Sequence, residues 1–119
     1  MFVEAEASLR DLSAQTLREA GYRVITAEDP TEARTVAGIL ESPVDLLVTD
    51  VVVPDFEGLA LADDLRAERP DLDVIFTSEA AGATAGPHRQ FGGGDMLFKP
   101  FSPADLLARV KLTLGKDAE

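Results

Sequence analysis

The chain has 119 residues, a hydrophobic fraction of 45% and no cysteine. That describes one domain with one core and excludes a disulfide framework, a zinc–thiolate site and a thiol nucleophile. The formal net charge of −11 repels nucleic acid and anionic membrane, so neither is expected as a direct partner.

The elements alternate along the chain. Met1 to Val3 is a short apolar start, read as a first strand. Leu9, Leu12, Ser13, Thr16, Leu17 and Ala20 recur at helical spacing, and Gly21 follows as a stop. Tyr22 to Thr26 alternates and reads as a second strand. Asp29-Pro30-Thr31-Glu32 is a helix start, with a capping acid, proline in the first turn and glutamate at the third position. Ala33, Val36, Ala37 and Leu40 give that helix its inner face. Val44 to Thr49 is the most apolar strand. Leu59, Ala62 and Leu65 mark a third helix, which Pro70 ends, and Val74 to Phe76 a fourth strand. EAAGATAGPHRQFGGG has five glycines and one proline in sixteen residues, so any helix there is expected to be short or broken. Its His88 has no metal-ligand neighbours and reads as surface. Asp95 to Phe98 is a fifth strand. Ser102-Pro103-Ala104-Asp105 starts a last helix, with Leu106, Leu107, Val110 and Leu114 inward and Gly115 as a cap.

Strand and helix in alternation imply a parallel sheet covered on both faces, in the flavodoxin-like order 2-1-3-4-5. One α/β domain over residues 1–119 is expected, with a short first strand. In such sheets sites form beyond the carboxyl ends of the strands, where the first and third lie side by side. That explains an oddity in DLLVTDVVVP. Asp50 sits between two apolar triplets, where a buried carboxylate is costly. At the carboxyl end of the third strand it would instead meet Glu4 and Glu6 after the first, Thr77 at the fourth and Lys99 after the fifth. The longest apolar runs are too short to cross a bilayer, and the acidic start MFVEAEAS lacks the basic end of a signal peptide. A cytoplasmic protein is the expectation.

These pieces together resemble the receiver domain of two-component response regulators. DLLVTDVVVPDFEGL is similar to the family's phosphoacceptor segment, with Pro54 and Gly58 in its loop positions. VIFTS carries the switch hydroxyl, and LFKPF the phosphoryl-pairing lysine before Pro100. LREAGYRV and FSPADLLARV resemble the first and last helices. The resemblance implies a signalling domain rather than an enzyme in the usual sense. Asp50 would accept a phosphoryl group from a sensor histidine kinase or phosphotransfer protein. Thr77 would turn toward that group, Lys99 would pair with it, and a partner-binding surface for an output protein would switch. Glu4, Asp50 and the Val52 carbonyl would hold Mg²⁺. The Lys99-Pro100 bond would be cis.

Two departures qualify the expectation. The family places two adjacent acids after the first strand, and here Ala5 takes the second place. A methyl group cannot ligate a metal, so Mg²⁺ binding is expected to be weak or absent. The aromatic switch position holds Met96, which packs but offers no ring. The alternative is a degenerate receiver that binds partners without phosphorylation. A flavin- or nucleotide-binding enzyme on this fold would need a phosphate-cradling loop after the first strand, and Glu4-Ala5-Glu6-Ala7-Ser8 is acidic and glycine-free.

Overall fold

A computed structural model describes residues 1–40, 43–50, 57–78 and 95–115. The elements are β1 (Phe2–Val3), α1 (Ala7–Glu19), β2 (Thr26–Ala27), α2 (Pro30–Ile39), β3 (Leu46–Asp50), α3 (Glu57–Glu68), β4 (Asp73–Ser78), β5 (Asp95–Phe98) and α4 (Pro103–Gly115). The five strands form one parallel sheet in the order β2-β1-β3-β4-β5, as the alternation predicts. The glycine-rich segment, with His88, lies outside the described residues, as do Val52 and Pro54. Among the described residues no helix is long and apolar enough to cross a membrane.

Period-two alternation sends successive side chains to opposite faces of the sheet. Val3, Leu47, Val74 and Phe76 pack on one face with Ala33 of α2 and with Leu61 and Ala62 of α3. Phe2, Leu46, Val48, Ile75 and Leu97 pack on the other with Leu17 of α1 and with Leu106 and Val110 of α4. The central strands are therefore apolar on both faces, and their polar groups are left at their ends.

The helix starts follow the sequence signals. Asp29 Oδ1 accepts from the Glu32 amide at 2.7 Å, and Glu32 Oε1 accepts from the Glu28 amide at 2.8 Å. At α4, Ser102 Oγ accepts from the Asp105 amide at 3.0 Å and Asp105 Oδ2 from the Ser102 amide at 3.2 Å, a reciprocal capping box. After α1 the chain turns at Gly21, whose φ of +102° favours a residue without a side chain. The Gly21 and Tyr22 amides reach back to Arg18 and Leu17 carbonyls.

The second strand departs from expectation. Tyr22 to Thr26 alternates, yet β2 is Thr26–Ala27. A strand exists only where a neighbour offers a ladder. β1 supplies two residues, paired Phe2 with Thr26 and Val3 with Ala27, so Tyr22 to Val24 have no strand beside them. On the helices, Leu12 is 49% exposed, and Ala14 takes the inner position beside Ser13 and Leu17. In α3 the buried apolar side chains are those of Leu61 and Ala62, with Leu59 and Leu65 half-buried beside them.

Candidate functional site

The sheet register builds the site. Val3 lies opposite Thr49, which brings Glu4 to the level of Asp50 at the carboxyl ends of β1 and β3. Asp50 pairs in turn with Thr77 of β4, and Ser78 with Phe98 of β5. The Lys99 amide continues that ladder by donating to the Ser78 carbonyl at 2.7 Å. The Lys99–Pro100 bond is cis.

These placements converge on one ammonium. Lys99 Nζ stands 2.7 Å from Glu4 Oε1 and 2.9 Å from Asp50 Oδ2. The Glu4 side chain is 4% exposed, Lys99 11% and Asp50 24%, so access to the trio is from the Asp50 side. Burial pulls the Lys99 pKa down. The hydrogen bonds to Glu4 and Asp50, with the carboxylate charges, outweigh it, and the net displacement is upward. Two carboxylates and one ammonium leave the trio with one net negative charge.

The raised pKa carries a prediction. A lysine titrating higher in the folded state stabilises the fold at every pH below its ordinary value of ~10.4. That stability is lost as pH rises through the folded value. Thermal unfolding between pH 9 and pH 12 should show a fall in midpoint beginning above about pH 10.4. Lys99→Met should remove this component of the fall; an unchanged pH profile in that variant would refute it.

The loop after β1 is held by its own chain. Glu4 Oε2 accepts from the Glu6 amide at 3.0 Å. Arg10, on the first turn of α1, donates from Nη1 to the Glu4 carbonyl at 2.9 Å and to the Ala5 carbonyl at 3.4 Å. The Ala5 and Glu6 side chains are exposed, and Glu6 joins the site through its backbone rather than its carboxylate. Sequence reasoning missed Arg10. Its only signal was a basic residue in the first turn of a helix, where the macrodipole favours acids.

Thr77 is 1% exposed, and its Oγ1 has no hydrogen-bond partner among the described residues. Met96 is half-buried against the α2–α3 side of the core. A cavity of about 430 Å³ opens beside the site, lined by Glu6, Leu9, Lys99, Pro100 and Phe101. A larger one of about 640 Å³ lies at the opposite, amino-terminal end of the strands among Met1, Tyr22, Val24, Pro43 and Leu114, away from the converging charges.

Mg²⁺ demands near-octahedral oxygen ligation at about 2.0–2.1 Å. The described donors do not fit it. Each Glu4 oxygen already has a partner, one of them the Lys99 ammonium that would repel a metal ion; Ala5 offers a methyl group, and the Glu6 side chain is exposed. No group of three or more acidic, histidine or cysteine side chains that could hold a metal ion occurs among the described residues.

Comparison with known proteins agrees with this architecture. The model of the response regulator receiver domain family matches residues 1–111. The chain belongs to that family. It is 36% identical over 119 residues to the alkaline phosphatase synthesis transcriptional regulatory protein PhoP of Bacillus subtilis, covering 98% of this chain and 48% of the relative. It is 34% identical over 120 residues to the sensor kinase CckA of Brucella abortus, covering 98% of this chain and 12% of that protein. Among solved structures, the receiver domain of the hybrid histidine kinase CckA superposes with a TM-score of 0.76 at 33% identity, covering 95% of each chain. The receiver thus spans about half the length of the transcriptional regulators it matches, and a small part of the sensor kinase.

Proposed function

We propose that this receiver accepts a phosphoryl group on Asp50 from a histidine kinase or a phosphotransfer protein and thereby switches a partner-binding surface. The observation that carries the reading is the Lys99 ammonium, held 2.9 Å from Asp50 Oδ2 at the carboxyl ends of the central strands. An Asp50 oxygen attacks the phosphorus, the P–N bond to the donor imidazole breaks, and the imidazole keeps the electron pair. Positioning and charge neutralisation are what a protein contributes to such a transfer. Lys99 supplies a positive charge beside the new phosphoryl oxygens. The Thr77 hydroxyl, buried without a hydrogen-bond partner among the described residues, gains an acceptor when it turns toward them.

Mg²⁺ has a weak place in this reading, because the donor set around Glu4 and Ala5 does not suit it. The same observation favours a second reading, a receiver that binds its partner without phosphorylation. Likeness to transcriptional regulators and to a sensor kinase supports a kinase as the phosphoryl source and an output module outside this domain.

Intact mass after incubation with acetyl phosphate, in wild type and in Asp50→Asn, separates the two. A gain of one phosphoryl group in wild type and none in Asp50→Asn is the expected result. No gain in wild type, with the fold intact, overturns the phosphoacceptor reading and leaves the binding module.

A further inference from the structure

We infer that Glu4 is a positioning residue for Lys99 rather than a metal ligand: it anchors the ammonium beside Asp50, and the pocket carries a resident cation where an acid pair would call for a divalent one. The inference deepens the phosphoacceptor reading and rests on it for its functional meaning.

Three observations carry it. The first is commitment of donors. Glu4 Oε1 holds Lys99 Nζ at 2.7 Å, and Oε2 holds the Glu6 amide at 3.0 Å. A metal bond to either oxygen would have to share that oxygen with a partner already in place, and beside Oε1 that partner is itself a cation. The second is burial. At 4% exposure Glu4 is the most enclosed member of the trio, and a buried carboxylate is tolerable only with its charge and lone pairs answered. Lys99 and the Glu6 amide answer them. The third is the strap. Arg10 binds the carbonyls of Glu4 and Ala5, placing a second cation at the loop where a metal-binding acid pair would stand. A guanidinium there opposes a divalent ion and fixes the backbone from which Glu4 projects.

The arrangement also divides the work between the two carboxylates. Glu4, enclosed and doubly bonded, fixes where the ammonium sits. Asp50, at 24% exposure, is the one a phosphoryl donor can reach. When Asp50 is modified, Lys99 keeps one short ion pair and remains in place to meet the added oxygens.

The test uses Glu4→Gln, which keeps the size and removes the charge, in the full chain. Two readouts need no phosphorylation. One is the rate at which Lys99 reacts with an amine-selective reagent, read by peptide mass spectrometry, with exposed Lys111 as internal reference. Glu4→Gln should speed Lys99 labelling by roughly tenfold, the scale of one charge-assisted hydrogen bond, and leave Lys111 unchanged. The other is a Mg²⁺ titration followed by amide chemical shifts. Glu4→Gln should leave the weak affinity within about twofold, whereas loss of a true ligand costs at least the ~10–100-fold that outer-shell partners cost. Unchanged Lys99 labelling, or a tenfold loss of Mg²⁺ affinity, overturns the inference. Should Glu4→Gln fail to fold, the carboxylate ¹³C signal of Glu4 in wild type serves instead. It should stay fixed through the Mg²⁺ titration, and a shift that saturates with Mg²⁺ overturns the anchor role. A protein with anchored Lys99 and no phosphorylation at Asp50 fails the functional reading while keeping this one.

Discussion

Ala5→Asp should bind Mg²⁺ at least about tenfold more tightly than wild type, roughly 1.4 kcal/mol, and should accumulate phosphorylated Asp50 faster. In wild type the loop after β1 offers a methyl group between Glu4 and Glu6, Glu4 is fully engaged and Glu6 faces solvent. An aspartate at position 5 adds a short carboxylate next to Glu4, with neither oxygen committed to the Lys99 pair. The same change brings a third carboxylate to a rim that already carries a net negative charge, so without metal the variant should lose some stability. Mg²⁺ titrations and phosphorylation time courses on both proteins, with Asp50→Asn as the blank, measure this. Equal Mg²⁺ affinities in the two proteins would mean that another donor already fills the place.

Lys99→Met should destabilise the domain by about 3 kcal/mol, and Glu4→Gln added to it should recover most of the loss. The reason is asymmetry of cost. Removing one partner of a buried pair leaves the other charge enclosed and unanswered, while removing both leaves a neutral pocket. Glu4 is the member that suffers, because it is enclosed, whereas Asp50 can be rehydrated at its exposed side. Urea unfolding of wild type, the single variant and the double variant at neutral pH gives the three values. A loss under about 1 kcal/mol for Lys99→Met is the scale of a surface pair and would contradict the burial seen here.

The site was legible to the extent that strand ends were legible. Asp50 between two apolar triplets, Thr77 after Val74 to Phe76 and Lys99 after Leu97 and Phe98 each mark where a buried strand gives way to polar chain. A parallel order then brings those ends together. The capped starts of α2 and α4 were readable for a similar reason, since Asp29 to Glu32 and Ser102 to Asp105 bond within their own turn. Part of what the sequence could not show depends on partners far along the chain. Tyr22 to Thr26 has the pattern of a strand, but a ladder requires a neighbour, and β1 reaches only Thr26 and Ala27. The sequence offers Glu6 as a carboxylate, yet it acts through its amide, and it marks out no role for Arg10, which ties down the loop. Glu6 acts through its own amide and Arg10 on the carbonyls of Glu4 and Ala5, so in each case one partner is a backbone atom, which residue identity does not reveal. Asp64 and Asp71 pair with Arg34 and Arg69 at 2.7 and 3.1 Å, contacts at the exposed surface.

The two-residue β1 has a consequence for how the domain opens. Beyond the paired positions Phe2–Thr26 and Val3–Ala27, the β2 edge is stitched to the sheet by the Phe2 amide on the Ile25 carbonyl and the Glu4 amide on the Ala27 carbonyl. One of those two stitches belongs to the residue whose side chain holds Lys99. The edge and the pocket therefore share a hinge pin. Sub-global opening that peels β2 and α2 from the sheet would draw on a seam only two paired residues long and would loosen the backbone of Glu4 as it goes. A protein that docks on that edge and closes the seam would, through the same residue, hold the ammonium still.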